Sequence, residues 1–303
     1  MHTQTIDLHP QTEIAPAILL PLKNSVFADR VERFATLAPG HSLGDWLTFL
    51  GHLTRAQHDA LQRLPDISLP STCAMEKART HGMPPLSAAS LPCAETLREV
   101  LKQIAKALEA HAPERARQTL AALCETPAER LEKMAIELLA GNPDPQDAAA
   151  LPIIAAVLQV VWTGLAGQLD ASTLQKLDTP GVCPCCGSLP VASVVRTASS
   201  VSNLRYLHCS LCNTEWNVPR ATCSACGTDK GVAQQQIEGS NGAMRAETCD
   251  SCMSYLKIGY QDKDPHIDPV ADDLATLALD MLVDAAGYSR SGPNLFLIGG
   301  AGE

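Results

Sequence analysis

Eight cysteines in the second half of the chain occur as four Cys-x-x-Cys pairs with a repeating spacing. The pairs are Cys183/Cys186, Cys209/Cys212, Cys223/Cys226 and Cys249/Cys252. Twenty-two residues separate the first pair from the second and the third from the fourth, whereas ten separate the second from the third. A Cys-x-x-Cys pair in a tight turn directs two thiolates at one metal ion, and a second pair completes a tetrahedron. The sequence therefore predicts two tandem metal-binding units.

The equal spacing favours one metal site inside each repeat. A cross-braced arrangement, in which the first pair joins the third and the second joins the fourth, stays an alternative. Gly187 and Gly227 follow the first pair of each repeat, and glycine readily adopts the positive φ that such a turn uses. A closed four-thiolate site is usually structural, but iron in the same cage can carry an electron. The spacing does not distinguish zinc from iron, because both accept tetrahedral thiolates.

Two side chains beside the pairs have competing interpretations. Cys185 is either a spare thiol, exposed or buried, or a reactive thiol whose pKa the adjacent metal and turn amides lower. His208 precedes Cys209 and is a weaker candidate ligand. Neither a Walker sequence nor a G-x-G-x-x-G motif occurs. We therefore expect a protein that is not an enzyme.

The net charge of the chain and its first residues indicate which partners and which cellular compartment to expect. The net charge of −10 disfavours general binding to nucleic acid or anionic membranes. Residues 180–262 are neutral, with six Lys/Arg and six Asp/Glu, so no basic stripe marks a nucleic-acid surface. The first 22 residues lack the positive region of a secretory signal, and Pro16 and Pro21 interrupt their apolar run. We expect reduced thiols in the cytoplasm and no nucleic-acid partner.

Residues 1–178 carry mainly helical patterns and predict a helical domain. Residues 126–129, Thr-Pro-Ala-Glu, combine a capping box with proline at the first helical position. The uncharged stretch 148–169 reaches the length of a membrane span. Asp147 and Asp170 flank it, however, and polar residues interrupt it. We favour a buried central helix and no membrane span.

Beyond residue 179 the pattern changes to short strands, so the fold class is α+β. Five segments have strand character: 190–197, 204–208, 232–237, 244–248 and 255–260. Together with the cysteine pairs, these strands predict a metal-binding region at 179–262. This region depends on its metal ions for much of its stability. In 263–303, Asp268-Pro269 opens one predicted amphipathic helix that needs the helical domain or a second subunit as its partner. Its apolar face is Val270, Leu274, Leu277, Met281, Leu282 and Ala285.

Four segments together resemble the formate dehydrogenase accessory proteins of the FdhE type: CPCCG, HCSLCNTEWNVPRATCSACG, CDSCMSYLK and DPVADDLATLALD. The likeness is specific from about residue 181 to 285 and only general before it. It implies two rubredoxin-like modules whose eight paired cysteines bind two metal ions, with iron favoured and zinc as the other candidate. It also implies a cytoplasmic maturation factor whose partner is the molybdenum-containing catalytic subunit of respiratory formate dehydrogenase.

Three hypotheses about function remain at this point. The first is an assembly factor that binds a client enzyme through the metal modules and the groove between them and the helical domain. The second is a redox protein that passes electrons or exchanges thiols through iron in these sites. The third is a zinc-ribbon nucleic-acid binder, which the neutral charge of 180–262 disfavours. A weak homodimer is a further expectation.

Overall fold

The computed structural model describes residues 15–65, 67–89, 94–179, 181–197 and 202–298. Before residue 180 the described chain is mainly helical. Its helices are α1 (Val26–Leu37), α2 (Gly44–Arg63), α3 (Thr72–Thr80), α4 (Ala94–Leu108), α5 (Glu114–Glu125), α6 (Ala128–Leu139) and α7 (Leu151–Ala166). Proline precedes α5 and α6, where a missing backbone N–H costs no helical hydrogen bond.

Helix α7 lies at the centre of this helical part. Of its 16 residues 14 are buried, because a helix that is apolar on every side needs neighbours on every side. Helices α2, α4 and α6 pack around it. The buried Gln57 of α2 donates to Oε1 of Gln159 at 2.9 Å, which satisfies a polar side chain of α7. The interpretation of 148–169 as a buried helix is confirmed, and no helix among the described residues is long and apolar enough to cross a bilayer.

The cysteine repeats form one mixed sheet, which also takes up two short strands from outside them. The strands are β1 (Ile18–Leu19), β2 (Pro190–Thr197), β3 (Ser202–Cys209), β4 (Glu215–Val218), β5 (Val232–Gln235), β6 (Met244–Cys249), β7 (Ser254–Tyr260) and β8 (Ser289–Arg290). Their order is β1-β4-β3-β2-β7-β6-β5, with β8 beside β7. All five strands predicted within the cysteine repeats are present, whereas β1, β4 and β8 were not predicted, and residues 295–298, a possible strand by their sequence, form a turn.

The two repeats lie side by side in the same orientation. Each contributes three antiparallel strands, β2–β4 from the first and β5–β7 from the second. The repeats join where β2 pairs with β7 in parallel, with Val194 opposite Gly259. Because β2 and β7 each follow a cysteine turn and run in the same direction, both cysteine groups lie at the same end of the sheet.

The C-terminal segment differs from the single helix that its pattern predicts. It forms two short helices, α8 (Ala271–Ala275) and α9 (Leu277–Ala285), which meet at Thr276. In α9, Leu279 and Val283 are buried, whereas Met281 is 73 % and Leu282 58 % exposed. The predicted apolar face was therefore wrong for α9. Helix α8 packs against α1, and α9 packs against β6 and β8.

A buried lysine explains the break between these two helices. Nζ of Lys257 in β7 donates to the backbone carbonyls of Asp273, at 2.7 Å, and Thr276, at 3.0 Å. In a continuous helix those carbonyls would accept hydrogen bonds from N–H groups of the next turn. Here they accept from the ammonium group of the lysine instead. The interruption changes which side of α9 faces the sheet.

Two arginines of α1 join the helical part to the C-terminal segment. Nε of Arg30, which is fully buried, donates to Oδ1 of Asp268 at 3.0 Å. Nη2 of Arg33 lies 2.7 Å from Oδ2 of Asp264 and 2.5 Å from Oδ1 of Asp272. Because buried charges need partners, these pairs fix the position of α1 relative to the C-terminal segment.

Candidate metal centres

The first cysteine group is buried and closes within its own repeat. Its four sulfur atoms lie within 4.8 Å of one another. Sγ of Cys183 is 3.6 Å from Sγ of Cys212, and Sγ of Cys186 is 3.4 Å from Sγ of Cys209. None of the four side chains is more than 1 % exposed. The structure thus brings together the first two pairs, as the equal spacing predicts.

The second cysteine group has the same arrangement at the protein surface. Sγ of Cys223 is 3.7 Å from Sγ of Cys252, and Sγ of Cys226 is 3.8 Å from Sγ of Cys249. Cys223 and Cys249 are buried, whereas Cys226 and Cys252 are exposed. The structure brings together the third and fourth pairs here, so the cross-braced alternative does not match either group.

All four cysteine turns place a residue with positive φ directly after the second cysteine. Gly187, at 83°, and Gly227, at 76°, occupy this position in the first turn of each repeat. Asn213, at 57°, and Met253, at 52°, occupy it in the second. Asparagine tolerates this conformation, and a methionine there is uncommon. The four turns therefore share one backbone geometry although only two contain glycine.

Backbone N–H groups of these turns point at sulfur. The N–H groups of Leu211 and Cys212 each donate to Sγ of Cys209 at 3.4 Å. In the second group, burial acts to raise the pKa of Cys249, but backbone N–H groups of its own turn help to lower that pKa to about 7. Hydrogen bonds of this kind favour the thiolate, which is the form that binds a metal.

At three other thiols burial is the largest cause, and the net effect is a raised pKa. Burial raises the pKa of Cys183 and of Cys209 well above the ordinary thiol value, and it raises the pKa of Cys223 to about 12. A cation that binds these sulfurs must therefore displace protons from them. Metal affinity is expected to fall as the pH decreases.

The residues present fit a tetrahedral thiolate site. With metal–sulfur bonds of about 2.3 Å, tetrahedral geometry sets neighbouring sulfurs about 3.8 Å apart. The four distances given above run from 3.4 to 3.8 Å. Within the described parts of the chain, each group consists of four sulfurs and includes no oxygen or nitrogen ligand. Zinc and iron both suit that donor set.

The first group is covered by a segment that the sequence did not connect with it. The backbone N–H of Leu86 donates to the carbonyl of Cys185 at 2.9 Å, and that of Ala88 donates to Cys186 at 2.8 Å. Nε1 of Trp162 in α7 donates to the carbonyl of Leu86 at 3.1 Å and holds the segment in place. The connection after α3 thus covers the first cysteine turn, whereas the second group has two exposed cysteines.

Cys185 is a buried thiol outside the four-sulfur group. Its side chain is 0 % exposed, and a hydrogen bond with Cys212, followed by burial, raises its pKa well above the ordinary value. This favours the interpretation of Cys185 as a buried spare thiol over that of a reactive one. His208 does not point at the sulfurs. Its Nδ1 lies 2.9 Å from Glu215 and its Nε2 lies 3.1 Å from Asn213.

A buried polar network beside the first group was not predicted. Arg196 pairs with Glu215, and although burial acts to raise the pKa of Glu215, Arg196 and His208 hold it at about 2. Arg30 donates to Oδ1 of Asn213 at 2.9 Å. Arg30 and Asn213 are 183 positions apart in the sequence, and no local sequence pattern predicts such a contact. The network joins α1 to the residue that follows Cys212.

One catalytic-type pattern in the chain was overlooked at the level of the sequence, where we expected no G-x-S-x-G motif. Residues 40–44 read Gly-His-Ser-Leu-Gly and match G-x-S-x-G, which in hydrolases places serine on a turn from strand to helix. Here Ser42 lies between α1 and α2. Nδ1 of His41 accepts from the backbone N–H of Leu43, and Nε2 lies 2.9 Å from the carbonyl of Ala275. His41 is thus occupied and does not serve Ser42 as a base.

Comparison with protein-family models assigns nearly the whole described chain to one family. The model described as "FdhE, N-terminal" matches residues 15–179, "FdhE, central domain" matches 182–220, and "FdhE, C-terminal domain" matches 221–297. The first cysteine group falls in the central model and the second in the C-terminal model.

Curated relatives and a solved structure match over most of their length. A "Protein FdhE homolog" of Rhizobium meliloti is 38% identical over 288 residues, which cover 94% of both chains. A "Protein FdhE homolog" of Edwardsiella ictaluri is 37% identical over 98% of this chain and 99% of its own. The crystal structure of the FdhE protein from Pseudomonas aeruginosa has a TM-score of 0.82 and 36% identity, and covers 93% of this chain and 99% of that chain.

Proposed function

This chain belongs to the FdhE family, and from that premise we propose that it is a maturation factor for respiratory formate dehydrogenase. The resemblance of the cysteine segments to formate dehydrogenase accessory proteins supports this proposal. The observation that carries it is the presence of two complete four-sulfur groups at one end of a single sheet. The chain acts on a client protein in the cytoplasm and is not itself an enzyme.

Each four-cysteine group holds one metal ion in this proposal. Cys183, Cys186, Cys209 and Cys212 bind the first, and Cys223, Cys226, Cys249 and Cys252 bind the second. Iron is the favoured metal and zinc is the other candidate. The modules at 179–262 are rubredoxin-like, between a helical domain at 1–178 and a C-terminal region at 263–303. The ions stabilise the surface that the client meets.

The client is the catalytic subunit of formate dehydrogenase. The experiment is affinity capture of that subunit by the tagged chain, combined with measurement of formate dehydrogenase activity in a strain that lacks the gene. We expect capture of the subunit and loss of the enzyme activity. Absence of capture together with normal activity in the deletion strain would overturn the proposal.

Electron transfer is a second candidate, favoured by the exposed Cys226 and Cys252 of the second group. An iron centre with exposed sulfur ligands is accessible to a redox partner. This function requires a visible thiolate-to-iron absorption band and reversible reduction. Colourless protein that contains only zinc would exclude it.

Two further expectations complete the description of partners. Met281 and Leu282 of α9 give an exposed apolar surface for a weak homodimer, which sedimentation at increasing protein concentration tests. The net charge of −10 leads us to expect no nucleic-acid binding. A mobility shift of DNA or RNA at low salt would contradict that expectation.

A further inference from the structure

A surface groove crosses α1, α2 and α4 and contains none of the eight paired cysteines. It consists of two adjoining cavities of about 840 and about 790 Å³ that share His52 and Arg55. At their junction the ring of His52 stacks on that of His111, with centroids 4.1 Å apart. The two cavities therefore form one elongated groove, which we call the α2 groove.

The half of the α2 groove next to α1 is mainly apolar. It lies between α1 and the start of α2, where Val31, Ala35, Leu43 and Trp46 line it. These side chains suit the apolar side chains of a bound peptide, since burial of apolar area favours association.

The other half carries two rows of positive charge. Arg55 and Arg63 lie along α2, and Lys102 and Lys106 lie along α4 on the facing wall. All four are exposed, and in the described parts of the chain none of them forms an ion pair with a carboxylate. The buried arginines of α1, by contrast, are all paired. The groove therefore concentrates unpaired cations on a protein whose net charge is −10.

We infer that the α2 groove binds an acidic amphipathic segment of the client protein. Carboxylates of that segment lie between the two rows of cations, and its apolar side chains lie beside Trp46. Such charge complementarity mainly increases the association rate and selects the partner. The inference rests on the proposed function, because the client is the protein that supplies the segment.

The same surface does not suit nucleic acid. Asp59 and Glu99 line the basic half as well, and their carboxylates repel a continuous row of phosphates. A peptide can place its carboxylates opposite the four cations and avoid these two acids. In the apolar half a phosphate backbone would meet Arg55 beside mainly apolar side chains.

The test replaces cations of the α2 groove by glutamate and measures capture of the client. It compares this variant with one in which the same number of cations outside the groove is replaced. The groove variant is Arg55→Glu with Lys102→Glu and Lys106→Glu. The control is Lys77→Glu with Arg115→Glu and Arg220→Glu, three exposed cations outside the groove that leave the same net charge. Because all six side chains are exposed, both variants should keep the melting temperature of the unmodified chain. We expect the groove variant to capture the formate dehydrogenase catalytic subunit on the order of tenfold less well than the control.

The outcomes separate this inference from the proposed function. If the unmodified chain captures no formate dehydrogenase subunit, the proposed function fails. If the unmodified chain, the control and the groove variant all capture it equally, the proposed function stands and the α2 groove is not its docking surface.

A second measurement locates the partner directly. A photo-cross-linking amino acid at Ala107, which is exposed and lines the basic half, should attach to a client peptide that contains Asp or Glu and apolar residues. Attachment to a basic client peptide, to a second copy of this chain or to nucleic acid would overturn the inference. So would the absence of any cross-link while the client is captured.

Discussion

The ammonium nitrogen of Lys257 lies 3.3 Å from a carboxylate oxygen of Asp273, and both side chains are fully buried. Lys257 belongs to β7 of the second repeat and Asp273 to α8, so the pair joins the sheet to the C-terminal helices. Arg290 of β8 donates to the same carboxylate at 2.6 Å. Buried charges are costly unless they are paired, and this cluster satisfies them with side chains from three elements.

Replacement of Lys257 by methionine should destabilise the protein strongly. It would leave Asp273 and Asp280 with Arg290 as their remaining cation in this cluster. Loss of one partner from a buried ion pair typically costs about 3–5 kcal/mol. The measurement is the free energy of unfolding in urea, followed by circular dichroism. Lys263→Met is the control, since Lys263 is exposed and lies 4.0 Å from Asp262, and its loss should cost about 1 kcal/mol or less. Equal effects of the two substitutions would contradict the importance of the buried cluster.

Asp273 should make stability depend on pH under acidic conditions. Burial acts to raise the pKa of Asp273, but the charges of Lys257 and Arg290 outweigh it and hold the pKa below the ordinary value of 3.8. The folded state therefore binds this proton less readily than the unfolded state. The contribution of Asp273 to stability is present above pH 3.8 and is lost as the pH falls towards its depressed pKa.

The measurement compares the unfolding free energy of the unmodified chain with that of Asp273→Asn across this range. The difference between the two proteins should be constant above about pH 5 and should shrink as the pH falls below 3.8. The subtraction removes the protonation of cysteines, which both proteins share. A difference that grows on acidification would show that the sign is wrong.

Substitution of one ligand in each repeat should remove one metal ion at a time. Cys183→Ser breaks the first sulfur group and Cys249→Ser breaks the second, so elemental analysis should give one ion per chain for each variant and two for the unmodified protein. Each substitution should also increase hydrogen exchange in its own repeat more than in α7. The control is Cys185→Ala, which removes a thiol between two ligands and should leave both ions bound. Unchanged metal content in the serine variants would show that the ligand assignment is wrong.

The sequence predicted the local features of the fold and of the cysteine groups. Strand boundaries such as β2 at Pro190–Thr197 follow from a local run rich in β-branched residues, and the sulfur grouping follows from equal spacing. Strand β4 was missed because it depends on its partners, with Leu207 and Ile18 both opposite Trp216. Such pairing is a property of the sheet and leaves little trace in the strand itself.

Long-range polar contacts could not be predicted from one sequence. Arg30 and Asp268 are 238 positions apart, and a buried arginine has the same local pattern as an exposed one. The break between α8 and α9 has the same origin, because it depends on Lys257 of a distant strand. Periodicity therefore predicted one continuous helix where tertiary hydrogen bonds interrupt it.

When both cysteine groups hold a metal ion, the two ions should leave the protein at different rates. A chelator can approach the exposed Cys226 and Cys252 of the second group, whereas the first group is buried beneath the segment that Trp162 holds in place. Release into an excess of a chromogenic chelator should therefore show two phases of equal amplitude, with the second group released first.

The variants assign these phases. Cys249→Ser should lack the fast phase and Cys183→Ser should lack the slow one, because each retains the other group. Local opening of the covering segment should limit the slow phase, so its rate should not depend on chelator concentration. Replacement of Trp162 by phenylalanine removes the hydrogen bond to Leu86 and should accelerate the slow phase while leaving the fast phase unchanged. A single phase in the unmodified protein, or a fast phase that persists in Cys249→Ser, would contradict the difference in cover between the two groups.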